Sequence, residues 1–345
     1  MTKIIAIGDP HIKLDNFDEF NLFEESLHNL IDNELPDLIV VLGDILHYHE
    51  KIFTPCLNRA YHFIKKLGEK TKTFVLVGNH DMINNQQFLS QNHWMNSLKK
   101  KHPDIEENIV IVDTVIRHSN FLFCPYVFPG RFEEALNTLE DYDYTLASVI
   151  FAHQEFRGCK MGAITSEEGD LWEDAKLPLV VSGHVHLNQW VGDKVYYTGS
   201  ALQHAFGESE RNIIAVITVK DKDNINIREI DLELPRKKII STDVYNLDKV
   251  ADKVLNKIKK GITLDKIKIS ISGSVDEFKN LKTTENYKKL VKEGVKVVFK
   301  QKQIKNSGVE HQEIVDDNFS EILRKLIIDG GDVELYKIYE KFISV

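Results

Sequence analysis

Cysteine is almost missing from this chain of 345 residues, and the three it has, Cys56, Cys124 and Cys159, are odd in number and far apart. That pattern fits neither a disulfide framework nor a paired-cysteine metal site, so reduced thiols without a chemical role are expected. No stretch approaches the roughly 20 consecutive apolar residues that cross a bilayer, and there is neither an internal repeat nor a low-complexity tract. The opening MTKIIAIGDPH is a short apolar run ending in a turn, without the longer hydrophobic segment and small-residue cleavage site of a secretory signal. These absences set aside membrane-spanning, disulfide-stapled and solenoid classes. They lead to the expectation of a soluble, cytoplasmic protein with no membrane partner.

What is present is ordinary in bulk and uneven along the chain. Apolar residues at 42% and charged residues at 28% describe a globular protein, and the length suggests one large domain with smaller attachments. A net charge of −9 speaks against a nucleic-acid partner until it is divided. Residues 236–305 hold 19 Lys or Arg against 8 Asp or Glu, a balance of +11 that leaves −20 for the remainder. A basic segment beside an acidic domain that metal would neutralise is suited to a phosphate backbone. A solvated lysine-rich surface accounts for the same counts.

Residues 1–235 alternate short β-branched runs with amphipathic stretches, the pattern of a layered α/β domain. Strands are expected at 3–7, 38–42, 73–77, 146–152 and 179–182, and helices at 17–33 and 54–67, where apolar residues recur at three and four. Beyond Gly183, antiparallel strands at 189–191, 194–197, 213–219 and 226–230, with a turn at Gly192-Asp193, imply a second sheet. Pro235 opens a smaller α/β region with strands near 238–244, 266–272 and 296–300 and a helix near 248–259. A polar linker follows. Phe319, Ile322, Leu323, Leu326 and Ile327 then share one helical face, and Val333, Leu335, Ile338, Tyr339 and Phe342 repeat it. Two such short helices either fold back or dock on a partner, and docking is the reading adopted. The chain thus divides into residues 1–235, 236–303 and 304–345.

Chemistry concentrates where the strands end. Asp9 and His11 follow the first strand in GDPH, Asp44 the second in GDILH, and Asn79 and His80 the third in GNHD. His153 ends a later strand in FAH, and His184 and His186 stand in GHVH. In a layered sheet such positions converge at the carboxyl ends of the strands, and the glycines at 8, 43, 78 and 183 permit the turns that aim them. Carboxylate and amide oxygens mixed with imidazoles suit manganese, iron or zinc rather than calcium. Two such ions need one bridging carboxylate, for which Asp44 is the candidate. His80, beside Asn79, is placed for general acid chemistry. His47, three residues after Asp44, is read as touching substrate or steadying a ligand, and His49 as a polar surface residue. His28, His62, His93 and His102 carry no placement signal and are read as structural.

Any one of these motifs alone is weak; their order is not. GDPH, GDILH, GNHD, the late histidine and GHVH together resemble the calcineurin-like metallophosphoesterases over about the first 200 residues. Within that superfamily the chain is similar to the SbcD nuclease subunit and its phage counterparts. GDILHYHE, YTGSALQHAFGESERN and LPRKKII carry that likeness, although Ala201 stands where the family has proline. The resemblance implies a four-layer αββα sandwich with a small α/β capping domain and a C-terminal helical tail. It implies two divalent metal ions, manganese above all, the first held by Asp9, His11, Asp44 and His186 and the second by Asp44, Asn79, His153 and His184, with His80 and His47 as active-site histidines. It further implies cleavage of double-stranded DNA ends in recombination, repair or replication, a homodimer, and a partner SbcC-type ATPase gripped by the C-terminal helices, in the host cytoplasm if phage-encoded.

Two other classes compete. A small-molecule phosphodiesterase or phosphomonoesterase on the same fold would need no basic accessory region. A scaffold that has lost catalysis would have lost ligands or His80, and all are present.

Overall fold

Strand Thr2–Ile7 is apolar on both faces, and alternation along it sends Ile4 and Ala6 into one cluster and Ile5 and Ile7 into another. A strand buried on both sides needs a layer above and a layer below. The computed structural model, which describes residues 1–49, 51–99, 108–260 and 265–301, contains both. The expected C-terminal helical tail and His102 lie outside the described residues.

The first sheet runs in the order Asn224–Asp231, Ile213–Asp221, Thr2–Ile7, Leu38–Val41, Lys72–Leu76, Ile109–Val112; its last four strands are parallel. The second runs Gln189–Val191, Val195–Tyr197, Leu179–Gly183, Val149–His153, Phe121–Cys124, Ile116–His118, with its middle four parallel. Between the sheets the Phe74 and Phe123 rings stack at 4.0 Å, and Phe151 lies 5.4 Å beyond Phe123. Helices Phe17–Glu34 and Thr54–Lys70 cover the outer face of the first sheet through Phe20, Phe23 and Phe63. Helix Phe132–Leu136, with Phe156 and Trp172, covers that of the second. The layers are helix, sheet, sheet, helix.

Two expectations change. The four antiparallel strands after Gly183 do not make a sheet of their own: 189–197 extends the second sheet, and 213–231 pairs antiparallel with Thr2–Ile7 at the centre of the first. The run expected at 146–152 becomes a strand only at Val149, because Tyr144–Leu146 is a 3-10 turn capped by the Asp143 side chain, which accepts from the Thr145 N–H at 2.9 Å.

The basic region forms a three-stranded sheet, Lys237–Asp243, Lys266–Gly273 and Lys296–Gln301, under helices Leu247–Lys259, Val275–Leu281 and Glu285–Lys292. It has its own core around Leu247, Val254, Ile269, Ile271 and Leu290. The last two helices escape a periodicity reading because they are short, yet Ser274 and Glu277 form a capping box and Thr284 caps the next helix. Cys56, Cys124 and Cys159 are buried and free. No helix among the described residues is long and apolar enough to cross a membrane.

Phe74 is 1% exposed at the contact between the sheets. Phe74→Ala should lower the free energy of unfolding by about 3–5 kcal/mol, read as a shifted midpoint in equilibrium urea denaturation.

Candidate metal centre

The carboxyl ends of five parallel strands from two sheets meet at one edge of the sandwich, and the seven expected ligands are brought together there. One group is Asp9, His11 and His186, and another is Asp44, His153 and His184, each offering donor atoms within 4.8 Å of one another. In the first, His11 Nε2 lies 3.0 Å from His186 Nε2 and 3.5 Å from Asp44 Oδ2. In the second, Asn79 Oδ1 lies 3.0 Å from His153 Nε2 and 2.9 Å from His184 Nδ1, and Asp44 Oδ1 is 3.4 Å from His153 Nε2. The two oxygens of Asp44 therefore face different groups, the geometry a bridging carboxylate requires.

Three of the histidines are held from outside by their second nitrogen. His153 Nδ1–H donates to the Leu42 carbonyl at 2.6 Å, which turns Nε2 inward. His186 Nδ1 faces Glu208 Oε1 at 3.5 Å, and His184 Nε2 faces Glu155 Oε2 at 3.8 Å. Outer carboxylates and carbonyls of this kind orient metal-ligating histidines.

The electrostatics are those of a site built for cations. Burial raises the Asp9 carboxyl, with Asp44 adding to it against the pull of His153. Burial would also raise Asp44, but the charge and hydrogen bond of His153, with His11 and His80, hold it well below the usual carboxylate range. Burial opposes a charge on His153, yet Asp44 and Asp9 push it up to about 9. A proton on His153 thus does part of what a cation would do. Burial takes His11 well below its ordinary value and keeps it neutral. Asp9 Oδ2 is buried without a hydrogen-bond partner. A buried carboxylate oxygen with no hydrogen-bond partner, ringed by imidazole nitrogens, fits a divalent metal of the manganese, iron or zinc type.

His80 sits beside the ligand groups. Its backbone N–H donates to Asp44 Oδ1 at 2.8 Å, and its ring Nδ1–H donates to the His47 carbonyl at 2.6 Å, so Nε2 is the nitrogen left for chemistry. Its ring lies 4.7 Å from that of His11 and 5.9 Å from that of His47. His49, expected on the surface, is instead half-buried, stacked on His80 at 4.0 Å with Nδ1 bonded to the Asn79 carbonyl. It supports the His80 ring. His93 is structural, buried against Asp113 at 3.1 Å.

Backbone strain collects here too. Asp9, His11, Asp44 and His184 all have left-handed φ, at 42°, 44°, 53° and 78°, each costing on the order of 1 kcal/mol or more. Of the four motif glycines only Gly43 is left-handed, at 104°; the turn explanation fails for the other three, where close approach is the reason. A Cβ on Gly78 would stand 2.2 Å from Asp44 Oδ1.

Several working residues were not foreseen. Asp81 accepts from the N–H groups of Gly78, Ile45 and Leu46 at 3.1, 3.3 and 3.3 Å and from Trp94 Nε1 at 2.9 Å, tying the Asp44 loop to the Asn79 loop. Its place in GNHD was a signal. Glu155, Glu208 and His204 had only weak ones. Tyr126, whose ring is 5.6 Å from His184, had none; burial pushes its hydroxyl up to about 12, so it stays protonated.

Residues 2–188 match the calcineurin-like phosphoesterase family. The chain is 41% identical to "Putative phosphoesterase 078R" of Invertebrate iridescent virus 3, over 99% of this chain and 96% of that protein. It is 42% identical to "Putative phosphoesterase 244L" of Invertebrate iridescent virus 6, over 81% and 97%. Among solved structures, GAP50, the anchor in the inner membrane complex of Plasmodium, aligns with a TM-score of 0.44 at 16% identity over 67% of this chain and 85% of its own, a likeness too loose to argue from.

Gly78→Ala should fold, by circular dichroism, but bind divalent metal roughly 10- to 100-fold more weakly in calorimetry, because the added methyl displaces Asp44.

Proposed function

The chain belongs to the calcineurin-like phosphoesterase family, and from that premise we propose that it is a manganese-dependent DNA nuclease of the SbcD type, processing DNA ends with an SbcC-type ATPase. It is a phosphoesterase, a hydrolase of a family that works with divalent metals. DNA, manganese and the ATPase are the step beyond. The observation that carries the step is the attachment of the basic sheet. Strand Lys237–Asp243 is joined through Gln203 to the segment that places His204 against His11 and His186. A lysine-rich surface anchored beside a phosphoester site favours a polyanionic substrate over a small one.

In this reading Asp9, His11, Asp44 and His186 hold one ion, and Asp44, Asn79, His153 and His184 the other. Such a pair supplies charge that orients a phosphodiester and lowers the pKa of water. The remaining work belongs to side chains. The His47 carbonyl fixes one proton of His80 on Nδ1, so Nε2 is the nitrogen that takes up a second proton and passes it to the leaving oxygen. The stacked ring of His49 keeps that nitrogen from turning away. His47 meets the phosphate. Residues 236–303 cap the duplex, residues 304–345 grip the ATPase, and the nuclease domains pair as a homodimer.

The test is digestion of end-labelled linear duplex DNA with manganese, magnesium or chelator. Manganese-dependent digestion, lost with chelator, is expected. No digestion even with an SbcC-type ATPase and ATP, alongside turnover of a phosphomonoester or cyclic nucleotide, would return the chain to small substrates. His80→Ala should keep its manganese and lose about 10²–10⁴-fold in cleavage, whereas Asp44→Ala should lose both.

A further inference from the structure

Segment 203–208 touches the first ligand group and the basic sheet at once. At one end Gln203 clamps strand Lys237–Asp243: the Lys237 N–H donates to Gln203 Oε1 at 2.6 Å, Gln203 Nε2 donates to the Lys237 carbonyl at 3.3 Å, and Lys237 Nζ donates to the Gln203 carbonyl. In the middle, buried His204 donates from Nε2 to the Asp9 carbonyl at 2.8 Å. At the other end Glu208 divides its oxygens. Oε2 accepts the N–H groups of His204 and Ala205 at 2.7 and 2.9 Å, and Oε1 faces His186 Nδ1 at 3.5 Å. Gln203 Nε2 also donates to the Glu208 carbonyl at 3.1 Å, which closes the segment into one hydrogen-bonded unit.

We infer that Glu208 is a positioning residue that holds His186 to the first ion, and that segment 203–208 links the placement of the basic sheet to the affinity of that ion alone. The second group has separate support, since Glu155 faces His184 and accepts from Ser166 Oγ at 2.5 Å on a different stretch of chain. A displacement of the basic sheet therefore pulls on one end of a short closed unit whose other end is Glu208. This inference rests on the metal reading above.

Manganese is the probe, followed in the full chain by calorimetry and by electron paramagnetic resonance. Wild type should take up two ions and show the spectrum of a coupled pair. Glu208→Gln keeps an oxygen for the two backbone N–H groups but puts an amide against His186. It should bind one ion as before and the other roughly 10- to 100-fold more weakly, giving a single-ion spectrum at the same manganese concentration. Gln203→Ala, which alters no ligand, should weaken the same ion roughly 2- to 30-fold and reads the link even if Glu208→Gln fails to fold. Wild-type affinity for both ions in Gln203→Ala would overturn the link, and in Glu208→Gln the positioning role. A wild type that binds no manganese would instead sink the metal reading itself.

Discussion

Two carboxylates, Asp9 and Asp44, are buried within one site with no lysine or arginine paired to either among the described residues. Isolated buried charge of one sign is among the most costly arrangements a protein can hold, and it persists only where something positive completes it. Around this constraint the rest is organised. Imidazoles supply the remaining donors, outer carboxylates and carbonyls fix their rings, and Asp81 locks the loops that carry them. The left-handed turns at Asp9, His11, Asp44 and His184 are tolerated because the two packed sheets determine where each strand ends.

The residues that meet at the candidate site were legible because each is local to a strand end and follows a short apolar run. Period-two alternation and the strand-end rule place Asp9, Asp44 and Asn79 without any knowledge of the neighbours. The supporting shell was not legible. Glu208 meets His186 across 22 positions and Glu155 meets His184 across 29, and nothing in the spacing of either pair announces the contact. His49 was misplaced for a related reason: a histidine near a surface turn is ordinarily solvated, and only the position of the Asn79 loop makes a ring stack there. The division of the late strands between two sheets was hidden as well, since hairpin signals fix which strands are adjacent in sequence and leave open which sheet they extend. The glycine motifs were correctly located and partly misread, because close packing against Asp44 leaves the same mark in a sequence as a turn does.

Charge is separated between two bodies of structure with independent cores. The acidic layers hold the donors, while the excess of lysine over acidic residues falls on a small sheet and its helices, whose apolar residues pack among themselves. Contacts across the junction are polar: Lys237 and Lys266 both pair with Glu19, and Arg236 with Asn212. Such a junction is specific in direction yet contributes little apolar burial, so it fixes orientation without fusing the two cores.

The central strand of the first sheet is made first and completed late. Thr2–Ile7 pairs on one side with Leu38–Val41, but its other side waits for Ile213–Asp221, with Thr2 opposite Val219. On the ribosome, that apolar strand presents an open edge while some two hundred residues are added, at about 5–20 residues per second. The nascent chain is thus exposed to edge pairing with other chains for tens of seconds. How quickly the late strand reaches the early one is a matter of synthesis and chaperoning, to which the finished sandwich gives no outward clue.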